Sequence, residues 1–137
     1  MQERLGGLSQ ENYVMHKLED VIEEIVRFRD EREWAQFHTL KNLATALSIE
    51  AAELQELMLW KTDRESSAMI ASRNGKQLCA AEIADVLIFA LLFCKAADIE
   101  PMDAIRMKLK ENEAKYPVEL AKGKATKYSH LEVQIQE

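Results

Sequence analysis

The sequence predicts an all-α domain organised as a four-helix bundle, and three observations carry that expectation. Its 137 residues include only four Gly and two Pro, too little turn punctuation for a β-sandwich. Apolar residues recur at steps of three and four, the helical period, rather than at steps of two. Ala, Leu, Glu, Lys and Met, all strong helix formers, dominate the composition. At 47% hydrophobic and 31% charged, the chain is neither disordered nor fibrous, and its length suits one domain with a real core.

Each predicted helix has a start and a stop. Ser9 is the first N-cap, with Glu11 in the first turn, and Val14, Leu18, Val21, Ile25 and Phe28 form one stripe behind it. The charged stretch 29–33 carries the chain out. Trp34, Phe37 and His38 then make an aromatic connector up to Thr39, the next N-cap. The second helix spans 40–60, with a stripe of Leu40, Leu43, Leu47, Glu50, Leu54 and Leu57 that puts an acid where a leucine belongs. Residues 62–75 are polar, and Asn74-Gly75 reads as a turn. A third helix spans 76–98, and its run 86–94 is apolar on every side. A four-helix monomer of this size does not bury one helix all round, so a second subunit is expected to cover part of it. Pro101 opens the fourth helix, whose stripe is Met102, Ile105, Leu109, Asn112 and Tyr116, and Pro117 stops it. The expected organisation is a tail at 1–8, a helical domain at 9–117, and a C-terminal tail or flap at 118–137, where Lys122, Lys124 and Lys127 surround Gly123.

Charge and cysteine usage narrow the function. A net charge of −6 argues against a groove for a nucleic-acid polymer, which needs a basic face. The longest uninterrupted apolar run, 86–94, has nine residues, against about 18 for a membrane span. Residues 1–7 carry no apolar signal core. Cys79 and Cys94 share one predicted helix roughly 22 Å apart, beyond disulfide reach. Reduced thiols without a signal point to the cytoplasm.

The acids carry the chemistry. Glu50 and Glu53 stand three apart on the second helix, as do Glu82 and Asp85 on the third, so each pair shares a face. Packed antiparallel, the two helices bring four carboxylates into one cleft, where they need cations. Oxygen ligands without His or Cys suit Mg²⁺ or Mn²⁺. A di-iron bundle needs Glu-x-x-His pairs, and His16, His38 and His130 fall elsewhere. The competing reading is a non-enzymatic helical interaction module in which the same acids only solvate the surface.

Several pieces stand in a fixed order: Trp34-x-x-Phe37-His38-x-x-x-Asn42-Leu43, Glu50-x-x-Glu53, Leu57-x-x-Trp60-Lys61, Glu82-Ile-Ala-Asp85-Val-Leu-Ile, Asn112-x-x-x-Tyr116-Pro117 and Lys127-Tyr128. Over about residues 27 to 131 this set resembles the all-α nucleoside triphosphate pyrophosphohydrolases, the MazG-like group, and within it the dCTP pyrophosphatase branch. Two departures stand out: Ile49 where the longer acidic signature has Glu, and Phe89 where the branch often has Tyr.

The resemblance implies a MazG-type fold in a homo-oligomer, a dimer or tetramer with sites built across subunits. It implies hydrolysis of a nucleoside triphosphate between the α and β phosphates, for nucleotide-pool cleaning. The substrate would be dCTP or a related pyrimidine nucleotide, with dUTP as the alternative. Glu50, Glu53, Glu82 and Asp85 would hold Mg²⁺, and Glu53, or else Glu50, would take the proton of the attacking water. Trp34 and Trp60 are candidate base-stacking platforms or simply filler; His38 and Asn42 offer hydrogen bonds, and Phe89 lies at the base-reading position. Asn112 on an apolar stripe is either a substrate ligand or a register-fixing amide. Tyr116 packs beside the base or closes its helix. Lys61, Lys115 and Lys127 are candidates for phosphate oxygens.

Overall fold

In the computed structural model, which describes residues 18–131, every regular element is a helix. They are α1 (Leu18–Asp30), a 3₁₀ turn (Trp34–Phe37), α2 (Leu40–Glu56), α3 (Asp63–Ala71), α4 (Arg73–Ala96), α5 (Pro101–Lys115), and two single turns, α6 (Val118–Ala121) and α7 (Tyr128–Leu131). Ser9, Glu11 and Val14 of the predicted first helix lie outside the described residues. α4 is the hub: α2 packs along it most extensively, and α3 and α1 pack on it as well. The buried apolar side chains among the described residues are Leu43, Cys79, Leu92 and Leu131. Both cysteines are free, as their positions on one helix require.

The predicted caps close two helices. The Thr39 hydroxyl accepts from the Asn42 amide at 3.2 Å, which ends the aromatic connector and starts α2. Pro101 occupies the first turn of α5, where a missing N–H costs nothing. Glu100 caps that turn by accepting from the Asp103 amide at 2.6 Å.

Three expectations are corrected. α2 ends at Glu56, not at Trp60, because the chain tightens into three-residue turns. The Met58 and Leu59 amides bond to the carbonyls of Gln55 and Glu56 at 3.0 and 3.1 Å. Trp60 then adopts a left-handed φ of 61° and is 94% exposed.

Residues 62–75 are not a polar turn but mostly helix. Thr62 and Glu65 form a reciprocal capping box in which the Glu65 amide donates to the Thr62 hydroxyl and the Thr62 amide donates to the Glu65 carboxylate. Asn74 and Gly75 lie in the first turn of α4. Gly75 is buried against the end of α3, so close that an added Cβ would run into the Met69 carbonyl oxygen.

The bundle is also not closed as predicted. α1, α2 and α3 gather on α4, but α5 makes no comparable contact with any of them. Its stripe of Met102, Ile105 and Leu109 is exposed, as are Ile83 and Leu87 on α4, so a single chain leaves part of α4 uncovered, as its all-round apolar run predicts. By length and composition α4 could cross a membrane, although no single apolar run within it is that long. Glu82 and Asp85 sit inside it, and charges there are costly in lipid.

Candidate active site

Of the four acids singled out in the sequence, the structure brings three into one tight group. α2 presents Glu50 and Glu53 to α4, and α4 presents Glu82 in return. One carboxylate oxygen from each of the three lies within 4.8 Å of the other two. Glu50 is half-buried on the seam of α2. Its carboxyl holds its proton more tightly than an ordinary carboxylate, first through desolvation and then through the charges of Glu53, Asp85 and Glu82. Asp85 is outside the tight trio but close enough to act on Glu50.

Like charges this close call for a positive ion or a shared proton. The donors are all hard oxygens with no nitrogen or sulfur among them, which fits a hard divalent cation. The cluster is able to hold a metal ion.

Asp85 also lines a cavity of about 420 Å³ with Ile25, Phe28, Trp34, His38 and Phe89. The wall is largely apolar. The Trp34 ring stands edge-on to Phe28 with centroids 5.8 Å apart, and His38 lies 6.4 Å from Phe89. Burial, and then the nearby Arg29 charge, push the His38 pKa below its ordinary value, so the ring is neutral at pH 7. Its Nδ1 is sealed from solvent with no hydrogen-bond partner among the described residues. A sealed, unpartnered nitrogen is better left without a proton, which places the N–H on Nε2.

Trp34 and His38 from the connector and Phe89 from α4 thus meet beside Asp85. Other predicted residues do not. The Asn42 Nδ2 donates to the Phe37 carbonyl at 2.9 Å and holds the connector in place. Trp60 and Lys61 are exposed beyond the end of α2. Lys115 and Tyr116 cluster instead with Tyr128: the Lys115 ammonium is 5.4 Å from the Tyr128 ring centroid, and the two tyrosine rings meet edge to face at 6.1 Å. Asn112 and Lys127 also lie in this C-terminal part of the chain, and none of these four lines the cavity beside Asp85.

Sequence reasoning missed Glu24, Ile25, Phe28, Arg29 and Ile88 as cavity lining. Three of them are apolar stripe residues, and periodicity does not separate a cavity wall from a core.

The profile of the MazG-like family matches residues 45–131, a span that contains all four acids. The chain belongs to this family. Bovine dCTP pyrophosphatase 1 is 35% identical over 114 residues, covering 83% of this chain and 68% of that protein. The human dCTP pyrophosphatase 1 is likewise 35% identical over 114 residues, with 83% and 67% covered. Among solved structures, a pyrophosphatase from Archaeoglobus fulgidus superposes with a TM-score of 0.70 at 42% identity, over 74% of this chain and 94% of that one. The MazG-like relationship therefore extends from α2 through α7, and the two longer alignments cover most of the chain.

Proposed function

We propose that this MazG-like chain is a magnesium-dependent nucleoside triphosphate pyrophosphohydrolase acting on dCTP or a related pyrimidine deoxynucleotide. One observation carries the reading: Asp85 belongs to the acidic face and also lines the aromatic cavity. A triphosphate at the acids and a base in the cavity would be parts of one molecule. The coarser activity, nucleotide pyrophosphohydrolysis, is that of the family relatives.

The roles follow from chemistry. Glu50, Glu53, Glu82 and Asp85 would hold the cation, Mg²⁺ with Mn²⁺ as substitute. When bound, it neutralises triphosphate charge and lowers the pKa of a water molecule. Glu53, the exposed member of the trio, accepts a proton from the attacking water on a carboxylate oxygen, and Glu50 is the second candidate. Trp34 and Phe89 flank the base, while His38 donates from Nε2. The products are the nucleoside monophosphate and pyrophosphate, which suits removal of unwanted nucleotides from a cytoplasmic pool.

We assign the remaining substrate contacts to Trp60, Lys61, Asn112, Lys115, Tyr116 and Lys127, supplied across subunits of a homo-oligomer, a tetramer in our reading. What supports this is the apolar surface left uncovered on α4 and α5, with Leu87 55% and Ile105 54% exposed. Asn42 acts at one remove, by fixing the connector that carries His38.

The test is pyrophosphate release from the four dNTPs and dUTP, with and without Mg²⁺, for wild type and Glu82→Gln. Metal-dependent release that the variant loses is the expected result, and the rate ranking names the base. No release from any nucleotide by folded, metal-loaded wild type overturns the reading.

A further inference from the structure

The cavity beside Asp85 contains a cation to which the proposed reaction gives no role. Arg29, in the last turn of α1, lines it together with Trp34 and His38. Its side chain is 18% exposed, while its ion-pair partner Asp30 is 51% exposed. Arg29 is thus mostly buried along a largely apolar wall while still paired to its more exposed partner.

The pairing geometry explains what is left over. Arg29 Nε donates to Asp30 Oδ1 at 2.7 Å, and Nη2 makes an ion pair with the same oxygen at 2.7 Å. Arginine carries five N–H donors in one rigid plane. Asp30 takes up the side edge, Nε–H and one Nη2–H. The end edge, with one N–H on each terminal nitrogen, has no protein acceptor among the described residues. The other acids of the cavity, Glu24 and Asp85, form no ion pair with it. Arg29 is thus a fork pinned on one side and open at its tip, a form suited to two acceptors lying side by side.

We infer that Arg29 is a specificity-determining residue whose open guanidinium edge reads a nucleobase offering two adjacent hydrogen-bond acceptors. The inference rests on the pyrophosphohydrolase reading of the site and names the substrate class within it. Among pyrimidines, cytosine has such a pair in N3 and O2. Uracil and thymine put an N3–H donor between their carbonyls, and that donor would meet a second donor on the fork. Guanine, with O6 and N7, is the purine that carries the same kind of edge. Phe89 has no hydroxyl, so the donors that the cavity lining can offer a base are the Arg29 fork, the His38 ring N–H and the Trp34 indole N–H, and each pairs with an acceptor.

The experiment sets dCTP against dTTP in competition for wild type, Arg29→Gln and Arg29→Lys, each with Mg²⁺. Wild type should favour dCTP. Both variants should lower the dCTP:dTTP ratio of kcat/KM by about tenfold or more, with dTTP turnover little changed. Lysine keeps the charge but lacks the fork, so its failure to restore the ratio assigns the effect to the edge. A wild type indifferent between the two bases, a ratio unchanged in either variant, or a parallel fall for both nucleotides overturns the assignment alone. Absence of release from every nucleotide overturns the pyrophosphohydrolase reading and this assignment together.

Discussion

Replacing Glu50 by glutamine should make the metal-free protein more stable, the reverse of what deleting a well-placed polar group does. The Glu50 carboxylate shares a space of 4.8 Å with those of Glu53 and Glu82. In a water-like dielectric, each like charge at that separation costs about 1 kcal/mol. Two neighbours make about 2 kcal/mol, and the water-like value already allows for a cluster that solvent reaches. For a chain of this length that raises Tm by about 7 °C. The pH dependence has a defined sign. Because the folded-state pKa of Glu50 is raised, the penalty is fully present above it. It is relieved as pH falls through it toward the ordinary carboxylate range. The curves of wild type and Glu50→Gln in EDTA should therefore converge on acidification. In Mg²⁺ the order reverses, since a cation that binds only the folded state at 100 times its Kd contributes about 2.7 kcal/mol, most of which the variant forgoes. Thermal unfolding in EDTA and in Mg²⁺, from pH 4 to 8, reads all of this. A variant less stable than wild type in EDTA, or an equal Mg²⁺-induced rise in both proteins, refutes the reasoning.

Thr62→Ala removes one half of the capping box and should cost about 1 kcal/mol in chemical denaturation. Thr62 is also what holds the Glu65 pKa down, by its backbone and then its side-chain hydrogen bond. The stability Glu65 supplies is present above the ordinary carboxylate range and is lost as pH falls through its lowered folded-state value, so the variant should show a shallower loss in acid. Gly75→Ala drives a methyl group into the Met69 carbonyl, and a backbone neighbour does not rotate away. Urea titration should show a loss of about 1–3 kcal/mol, where an ordinary helical Gly→Ala change would give a gain. Ile105→Glu, on the exposed stripe of α5, should lower the mass of the assembly in light scattering while leaving the helical circular dichroism of the chain in place; an unchanged mass would put the interface elsewhere.

The helices and the acidic pairs were legible because both depend on spacing alone. A stripe at three and four residues marks a buried helix face, and an acid interrupting it, as Glu50 does, must meet something other than lipid-like core. The stop of α2 was not legible. Leu57, Met58 and Leu59 are acceptable helix residues, and only the three-residue turns they adopt end the helix. α3 went unread for a different reason: its signal was the local pair Thr62 and Glu65, and its few apolar residues leave almost no periodicity to see. Arg29 sits in a charged run that looks like solvated surface. Only the fold shows that Arg29 lines a cavity while the rest of the charged run, residues 30–33, does not.

The small core described above changes what dilution does to this protein. With Leu43, Cys79, Leu92 and Leu131 as the buried apolar side chains among the described residues, and the apolar stripes of α4 and α5 left open, the homo-oligomer proposed above would draw much of its stabilising contact from between copies. Under mass action, folding then becomes a reaction of more than first order. The unfolding midpoint should slide upward with protein concentration, and a cell holding few copies would hold a less stable enzyme than one holding many.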